Sequence, residues 1–307
     1  MQTRWAGLIA GMAMLLVMPG AASAATVNNG SVDGVTYLSS DGSDFVTNAA
    51  PLVIEIPCPG TKRPMGGGYS IGLNELDTLR SAAPADLNGD GRIDGWRVVA
   101  ETGQSSTAVG TDASAICRKG TVKYVTKTGT LPASPGALTL TARCPKDMHV
   151  TGGGAVASHG GAARAAYVSS MYPIDGPDAD SKPDDGWRAT FYGSTQPGTK
   201  VVAICASTKQ TYAARSTQHP EQDNRIPAGT VGSGYWARCP ATKHVLGIGA
   251  YIGGPPSDVR VHSIYTGDAF DGDPNADADT VPDDDASMSF SNRSSSAQPT
   301  EGWAICG

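Results

Sequence analysis

The stretch CPKDMHVTGGGA, Cys144–Ala155, has two other copies in the chain: CPGTKRPMGGGY from Cys58 and CPATKHVLGIGA from Cys239. Each copy starts Cys-Pro, passes a short turn and enters a glycine cluster. The clusters are Gly66–Gly68, Gly152–Gly154, and Gly247 with Gly249. Downstream, each copy closes on Ala-Ile-Cys, at Cys117, Cys205 and Cys306. Between the two cysteines lie an apolar stretch, an aspartate-rich loop and, in the first two copies, Gly-Trp-Arg. Self-similarity at this period means three copies of one supersecondary unit, not a chain of unrelated segments.

The six cysteines admit fifteen pairings. The repeat selects Cys58–Cys117, Cys144–Cys205 and Cys239–Cys306, one bridge for each copy. In the chain-entropy model each closure stabilises its repeat by roughly 4 kcal/mol. Disulfides require an oxidising compartment, and the first residues supply the route. Arg4, the apolar run LIAGMAMLLVM and the small residues PGAASAAT read as a secretory signal peptide cut after Ala24. The run is too short to span a bilayer and ends at Pro19 and Gly20. No later segment has membrane length. The expected location is secreted or extracellular, or periplasmic.

Within the repeats the local pattern is that of strands. ALTLTARC alternates Leu138, Leu140 and Ala142 against Thr139, Thr141 and Arg143, the period of a half-buried strand. DVRVHSIY alternates Val259 and Val261 against Arg260 and His262, and KVVAIC is a short apolar run suited to a core strand. LNELDTLRSAA, from Leu73, is the one stretch outside the leader with room for a turn or two of helix. The 39 glycines and 21 prolines, against 6% aromatics, suit many short strands and turns. The glycine triplets fit close backbone packing. They lack the helix and Lys-Ser/Thr that a phosphate loop needs. The expected fold is all-β: three tandem, homologous, disulfide-bridged β-sandwich-like modules with calcium-type loops. They span residues 25–118, 119–216 and 217–307, with TQHPEQDNRIPAG (Thr217–Gly229) as the joint before the third.

The aspartate loops carry the clearest chemistry. More than half of the 29 acidic residues sit in them, in a chain of formal charge −6. Crowding so many carboxylates without a counter-ion is self-repelling. In repeat 1 the donors are Asp86, Asn88, Asp90 and Asp94, with the Arg92 carbonyl between the last two. In repeat 2 they are Asp178, Asp180 and Asp184, with the Lys182 carbonyl. In repeat 3 they are Asn275, Asp277, Asp279 and Asp283, with the Val281 carbonyl. Alternating oxygen donors on a tight loop converge on a hard cation, and an oxygen-only set selects Ca²⁺ over zinc or copper. The expected role of the ion is structural.

DLNGDGRIDGWRV, from Asp86, resembles the calcium loops of FG-GAP, dockerin and EF-hand-like proteins. DADSKPDD and DADTVPDD resemble thrombospondin type 3 loops. The likeness covers about a dozen residues in each repeat. Loop 1 runs into the strand-like WRVVA and not into a helix, as in an FG-GAP loop-to-strand junction. The wider Cys-Pro, Gly-Gly-Gly, Gly-Trp, Ala-Ile-Cys pattern is similar to uncharacterised secreted bacterial repeats. What these resemblances imply is a bound calcium ion in each loop.

Other candidates are weaker. GYSIG around Ser70 matches Gly-x-Ser-x-Gly, the signature of a nucleophile elbow, which needs a strand, a sharp turn and a helix. The equivalent positions in the other repeats are Val156 and Tyr251, so Ser70 is weighed as a catalytic residue only as an alternative. Trp96 and Trp187 follow their loops and are either ligand-stacking platforms or core plugs. In repeat 3, Ser287 falls near the tryptophan position, with Trp303 as the substitute filler. His149 and His244 share one repeat position, where repeat 1 has Arg63. Scattered Lys and Arg with few aromatics exclude a nucleic-acid surface.

The leading expectation is a non-catalytic secreted, calcium-stabilised binding or surface-associated protein whose partner is an extracellular glycan or cell surface. Repetition without a unique catalytic constellation favours avidity. The alternatives are a secreted hydrolase, and a secreted protease inhibitor or toxin-associated factor.

Overall fold

The computed structural model describes residues 25–41, 45–46, 51–72, 77–101, 109–158, 166–176, 180–194, 197–214, 224–267 and 281–307. The leader read in residues 1–24 lies outside them. The described residues form strands and no helix.

Repeat 1 holds β1 (Thr26–Val32), β2 (Val35–Ser40), β3 (Phe45–Val46), β4 (Leu52–Pro57), β5 (Arg63–Ser70), β6 (Thr78–Ala85), β7 (Gly95–Glu101), β8 (Val109–Gly110) and β9 (Asp112–Arg118). Repeat 2 holds β10 (Lys123–Thr130), β11 (Gly136–Arg143), β12 (His149–Val156), β13 (Ala166–Ile174), β14 (Gly186–Gly193) and β15 (Pro197–Ala206). Repeat 3 holds β16 (Thr211–Ala214), which lies before the expected boundary at 216/217 but pairs with β22, with β17 (Arg225–Ile226), β18 (Thr230–Arg238), β19 (Val245–Ile252), β20 (Val259–Gly267), β21 (Asp285–Asn292) and β22 (Gln298–Cys306). The segment considered for a helical turn is strand β6 from Thr78 onward. In the expected joint, Arg225 and Ile226 pair with Pro299 and Gln298 of β22, and residues 217–223 lie outside the described residues.

The chain is all-β with three disulfide-bridged repeats, as the sequence implies. The bridges are Cys58–Cys117, Cys144–Cys205 and Cys239–Cys306, with separations of 59, 61 and 67 residues. β3 and β8 form a two-stranded pair within repeat 1, but the three large sheets are shared between repeats. Their strand orders are β1-β2-β9-β5-β20-β21-β18, β10-β15-β12-β6-β7-β4 and β11-β14-β13-β19-β22-β16. Each sheet therefore joins one half of a repeat to the other half of a neighbour: 1 with 3, 2 with 1, 3 with 2. The cycle closes, and the molecule is a ring of three sheets about a pseudo-threefold axis. At the seams the paired stretches are short: Tyr69 with Ile264 and Ser70 with Ser263, Ala155 with Ala82 and Val156 with Ser81, Met171 with Ala250.

The glycine clusters build the axis. Gly66, Gly152 and Gly247 follow the same bulge in β5, β12 and β19. A Cβ on Gly66 would stand 2.9 Å from Gly247 Cα, one on Gly247 2.8 Å from Gly152 Cα, and one on Gly152 3.2 Å from Gly66 Cα. The three backbones meet where no side chain fits. The last glycine of each cluster admits the neighbouring repeat: Gly68 faces the Ile264 carbonyl, Gly154 faces Ala82 and Ala83, and Gly249 lies against Tyr172.

The middle position faces the core. A Cβ on Gly67 or Gly153 would collide with the fully buried indole of Trp96 or Trp187. Repeat 3 exchanges the volumes. By strand register Ile248 takes the glycine position and Ala286, not Ser287, takes the tryptophan position, both buried. Large beside small becomes small beside large, which keeps the interior filled. Trp303 is not the filler of that core position: it faces Gly249 in register and stacks on Tyr172.

A tyrosine closes each junction. Tyr37, Tyr124 and Tyr212 stand opposite Ile116, Ile204 and Ile305 in register. Their hydroxyls donate to the carbonyls of Val245 (2.7 Å), Pro64 (3.0 Å) and Val150 (2.7 Å), each in the neighbouring repeat.

Candidate functional site

The three acidic loops each follow the strand that ends at the disulfide corner. Cys58, Cys144 and Cys239 donate their backbone N–H to the carbonyls of Asp94, Asp185 and Asp284 at 2.9, 2.8 and 2.9 Å. Rotation about an axis leaves height along it unchanged, so these three anchors stand at one end of the ring.

Loop 1 is described throughout. Asp86 accepts from the N–H groups of Gly89 and Gly91, both at 2.8 Å. Asn88 accepts from Asp90 (2.9 Å) and Asp90 from Arg92 (2.8 Å). Asp94 accepts from Leu87 at 2.7 Å. Gly89 and Gly91 have φ of 78° and 85°, a left-handed turn that glycine adopts without strain. The side chains thus turn into their own loop. Each carboxylate keeps further lone pairs after one such bond, so the oxygen set suits a hard cation. Among the described residues no three His, Cys, Asp or Glu side chains are gathered as around a metal.

Loop 2 repeats the Asp90–Arg92 turn of loop 1, and loops 2 and 3 share one further turn. Lys182 N–H donates to Asp180 (2.9 Å), and its ammonium meets the same carboxylate at 2.8 Å. These bonds hold the Asp180 carboxyl below its ordinary value. The carbonyls of Lys182 and Val281 accept from the N–H groups of Asp184 and Asp283, each at 2.8 Å. Spacing alone places Asp184 and Asp283 at the Asp94 position; the backbone register gives that position to Asp185 and Asp284, because loops 2 and 3 carry an extra residue before it. Asp184 and Asp283 instead face the residue five after the cysteine. His149 Nδ1 lies 2.8 Å from Asp184, His244 pairs with Asp283, and in repeat 1 Arg63 donates to the Ile93 carbonyl. Asp178, Asn275, Asp277 and Asp279 lie outside the described residues.

The other singled-out residues resolve simply. Trp96 and Trp187 are fully buried and present no face to a ligand; they are core plugs. Ser70 ends strand β5, between Asp112 of β9 and Ser263 of β20. Among the described residues the next element is strand β6, and no helix follows.

Residues that sequence reading missed lie at a bulge shared by β6, β13 and β20. Arg80, Ser169 and His262 occupy it and all are buried. Arg80 meets Glu101 at 2.5 Å and donates to the Ala166 carbonyl across the seam. Ser169 donates to the Val259 carbonyl at 3.0 Å. His262 Nε2 shares a hydrogen bond with Ser291 at 2.6 Å. Burial and the nearby Arg260 and Arg293 push the His262 pKa down to about 4.

Two clefts open on seams. One, of about 310 Å³, lies between β5 and β20 and is lined by Tyr265, Ser70, Asp112 and Asn29 among others. The other, of about 390 Å³, lies between β12 and β6 and carries Arg97 and Lys200.

No described helix is long and apolar enough to cross a membrane. Comparison with protein-family models and with curated proteins returned no match.

Proposed function

We propose that the protein is an exported, non-catalytic binding module whose acidic loops are held by calcium. The observation that carries this reading is the set of described loop ends: the Asp94, Asp185 and Asp284 carbonyls each accept from the backbone N–H of a disulfide cysteine, and in loop 1 Asp86, Asn88, Asp90 and Asp94 turn their oxygens into one tight turn. Calcium bound in the loops would stiffen three turns that otherwise hold mutually repelling carboxylates. In loop 1 the holders would be Asp86, Asn88, Asp90 and Asp94 with the Arg92 carbonyl, and the ion would supply charge neutralisation and turn rigidity. Three disulfides fit an oxidising compartment outside the cytoplasm. Three equivalent loop anchors at one end favour a surface partner engaged more than once, by avidity.

The ion is tested by melting the protein in EDTA and then in calcium. The reading expects a lower melting temperature in EDTA, restored by calcium; an unchanged melt after thorough chelation removes the ion from the account. The binding role is tested by retention on immobilised glycans and bacterial cell envelopes. Retention without turnover of the bound material supports the module, and passage through every matrix contradicts it.

A further inference from the structure

The three seams are built alike and finished differently. Between β19 and β13 the outer groove is filled by aromatic rings. Tyr172 and Trp303 stack with centroids 5.5 Å apart and planes 12° apart, and Tyr251 sits 5.0 Å from Tyr172. Between β5 and β20 the same register positions hold other residues. Tyr265 stands where Tyr172 does, opposite Ser287 as Tyr172 is opposite Arg188. Ser70 takes the place of Tyr251, and Ser114 the place of Trp303. Two rings are thus replaced by hydroxyls, and the cleft of about 310 Å³ lies there.

Its lining is specific. Tyr265 is 42% exposed and is the single aromatic among the exposed large hydrophobic residues of the described chain. Asp112 and Asn29 also line the cleft. Asn29 comes from β1, an outer strand that extends this sheet beyond β2, and its amide donates to Ser39 at 3.0 Å. Space where two rings of the equivalent seam are missing, one ring to stack on, and a lining of carboxylate, amide and hydroxyls describe a small polyhydroxylated ligand. The C–H face of a sugar packs on an aromatic ring, whose face is electron-rich. A carboxylate accepts strong hydrogen bonds from hydroxyls and disfavours phosphate or other anions. The volume stands at the small end of ligand sites, about 300–1,000 Å³, which suits one ring better than an extended chain.

We propose that this cleft binds a neutral pyranose ring of an extracellular glycan, stacked on Tyr265 and held through its hydroxyls by Asp112, Asn29 and Ser70. The proposal rests on the reading of the protein as a binding module and gives that module its ligand class and site.

The test is a nuclear magnetic resonance titration of the ¹⁵N-labelled full chain. The probes are methyl glucopyranoside, methyl mannopyranoside, methyl galactopyranoside and N-acetylglucosamine. At least one should give saturable shifts at the amides of Ser70, Ala113 and Tyr265, with a dissociation constant of about millimolar, as expected for so small a ligand. Tyr265→Ala should weaken that binding roughly tenfold. Ser114→Trp, which installs the ring found at this position in repeat 3, should abolish binding while the variant melts no lower than the parent. Should Tyr265→Ala fail to fold, the shift map and Ser114→Trp decide alone. Absence of saturable shifts with all four sugars overturns the site. So do shifts confined to the acidic loops, or undiminished binding by folded Ser114→Trp. Retention on glycans or envelopes without shifts at the cleft overturns the cleft and leaves the binding module standing; loss of retention overturns both.

Discussion

The Tyr37 hydroxyl donates to the Val245 carbonyl at 2.7 Å, across 208 residues of sequence. This bond ties the first repeat to the last. Tyr124 and Tyr212 make the same bond at the other two junctions, so the ring is closed by one device used three times. Tyr37 is 1% exposed, and its partner carbonyl has little access to replacement water. Tyr37→Phe should therefore destabilise the protein by roughly 1–2 kcal/mol, the cost of a buried carbonyl left without its donor. Tyr124→Phe and Tyr212→Phe, at half-buried sites, should cost less. Urea denaturation of the three variants gives the order.

The exchange of volumes between repeats makes a second expectation. Trp96→Ala alone should cost about 3–5 kcal/mol, a large cavity in a full core. Gly67→Ile alone drives a branched side chain into the Trp96 indole and should cost at least as much as typical overpacking, roughly 1–3 kcal/mol. Together the two changes copy the Ile248 and Ala286 of repeat 3. The double variant should be more stable than the sum of the two losses allows, with a coupling of about 1–3 kcal/mol. Strict additivity would mean that the two positions do not share one space.

His262 sets an acid limit. Its folded pKa, about 4, lies below the ordinary 6.5. Below pH 6.5 the unfolded chain takes up a proton that the folded chain refuses. Stability should therefore fall as pH drops through the window from 6.5 to 4, and this contribution should level off below it. The whole window corresponds to roughly 3 kcal/mol. The nearby positive charges of Arg260 and Arg293 add to its resistance to protonation. His262→Asn should flatten the difference in denaturation midpoint between pH 7 and pH 4.5 relative to the parent.

Much of the local structure was legible. The disulfide pairing followed from repeat position. The alternation in ALTLTARC reappears in β11, where Leu140 and Ala142 are buried. In DVRVHSIY the alternation holds through Val261 and then breaks, because His262 bulges and turns inward. Nothing in a spacing pattern announces such a side step. Loop equivalence failed for the same reason. One added residue in loops 2 and 3 moved Asp184 and Asp283 onto His149 and His244, and only backbone bonds to the cysteines reveal the shift. The sharing of sheets was hidden for a deeper cause: identical repeats pair as well with a neighbour as with themselves, and periodicity does not choose. One trace was available. A tyrosine precedes each Cys-Pro segment, at Tyr37, Tyr124 and Tyr212, and aligning these would have marked a third recurring contact.

The shared placement of the three loop anchors and the seam cleft both require that halves of different repeats pair about a common axis. The axis is where Gly66, Gly152 and Gly247 meet. The most direct measurement is the nuclear Overhauser effect between the α-protons of these three glycines in the intact chain. The ring predicts cross-peaks for all three pairs, each linking residues from different repeats. Cross-peaks confined within each repeat, with none among the three glycines, would contradict it.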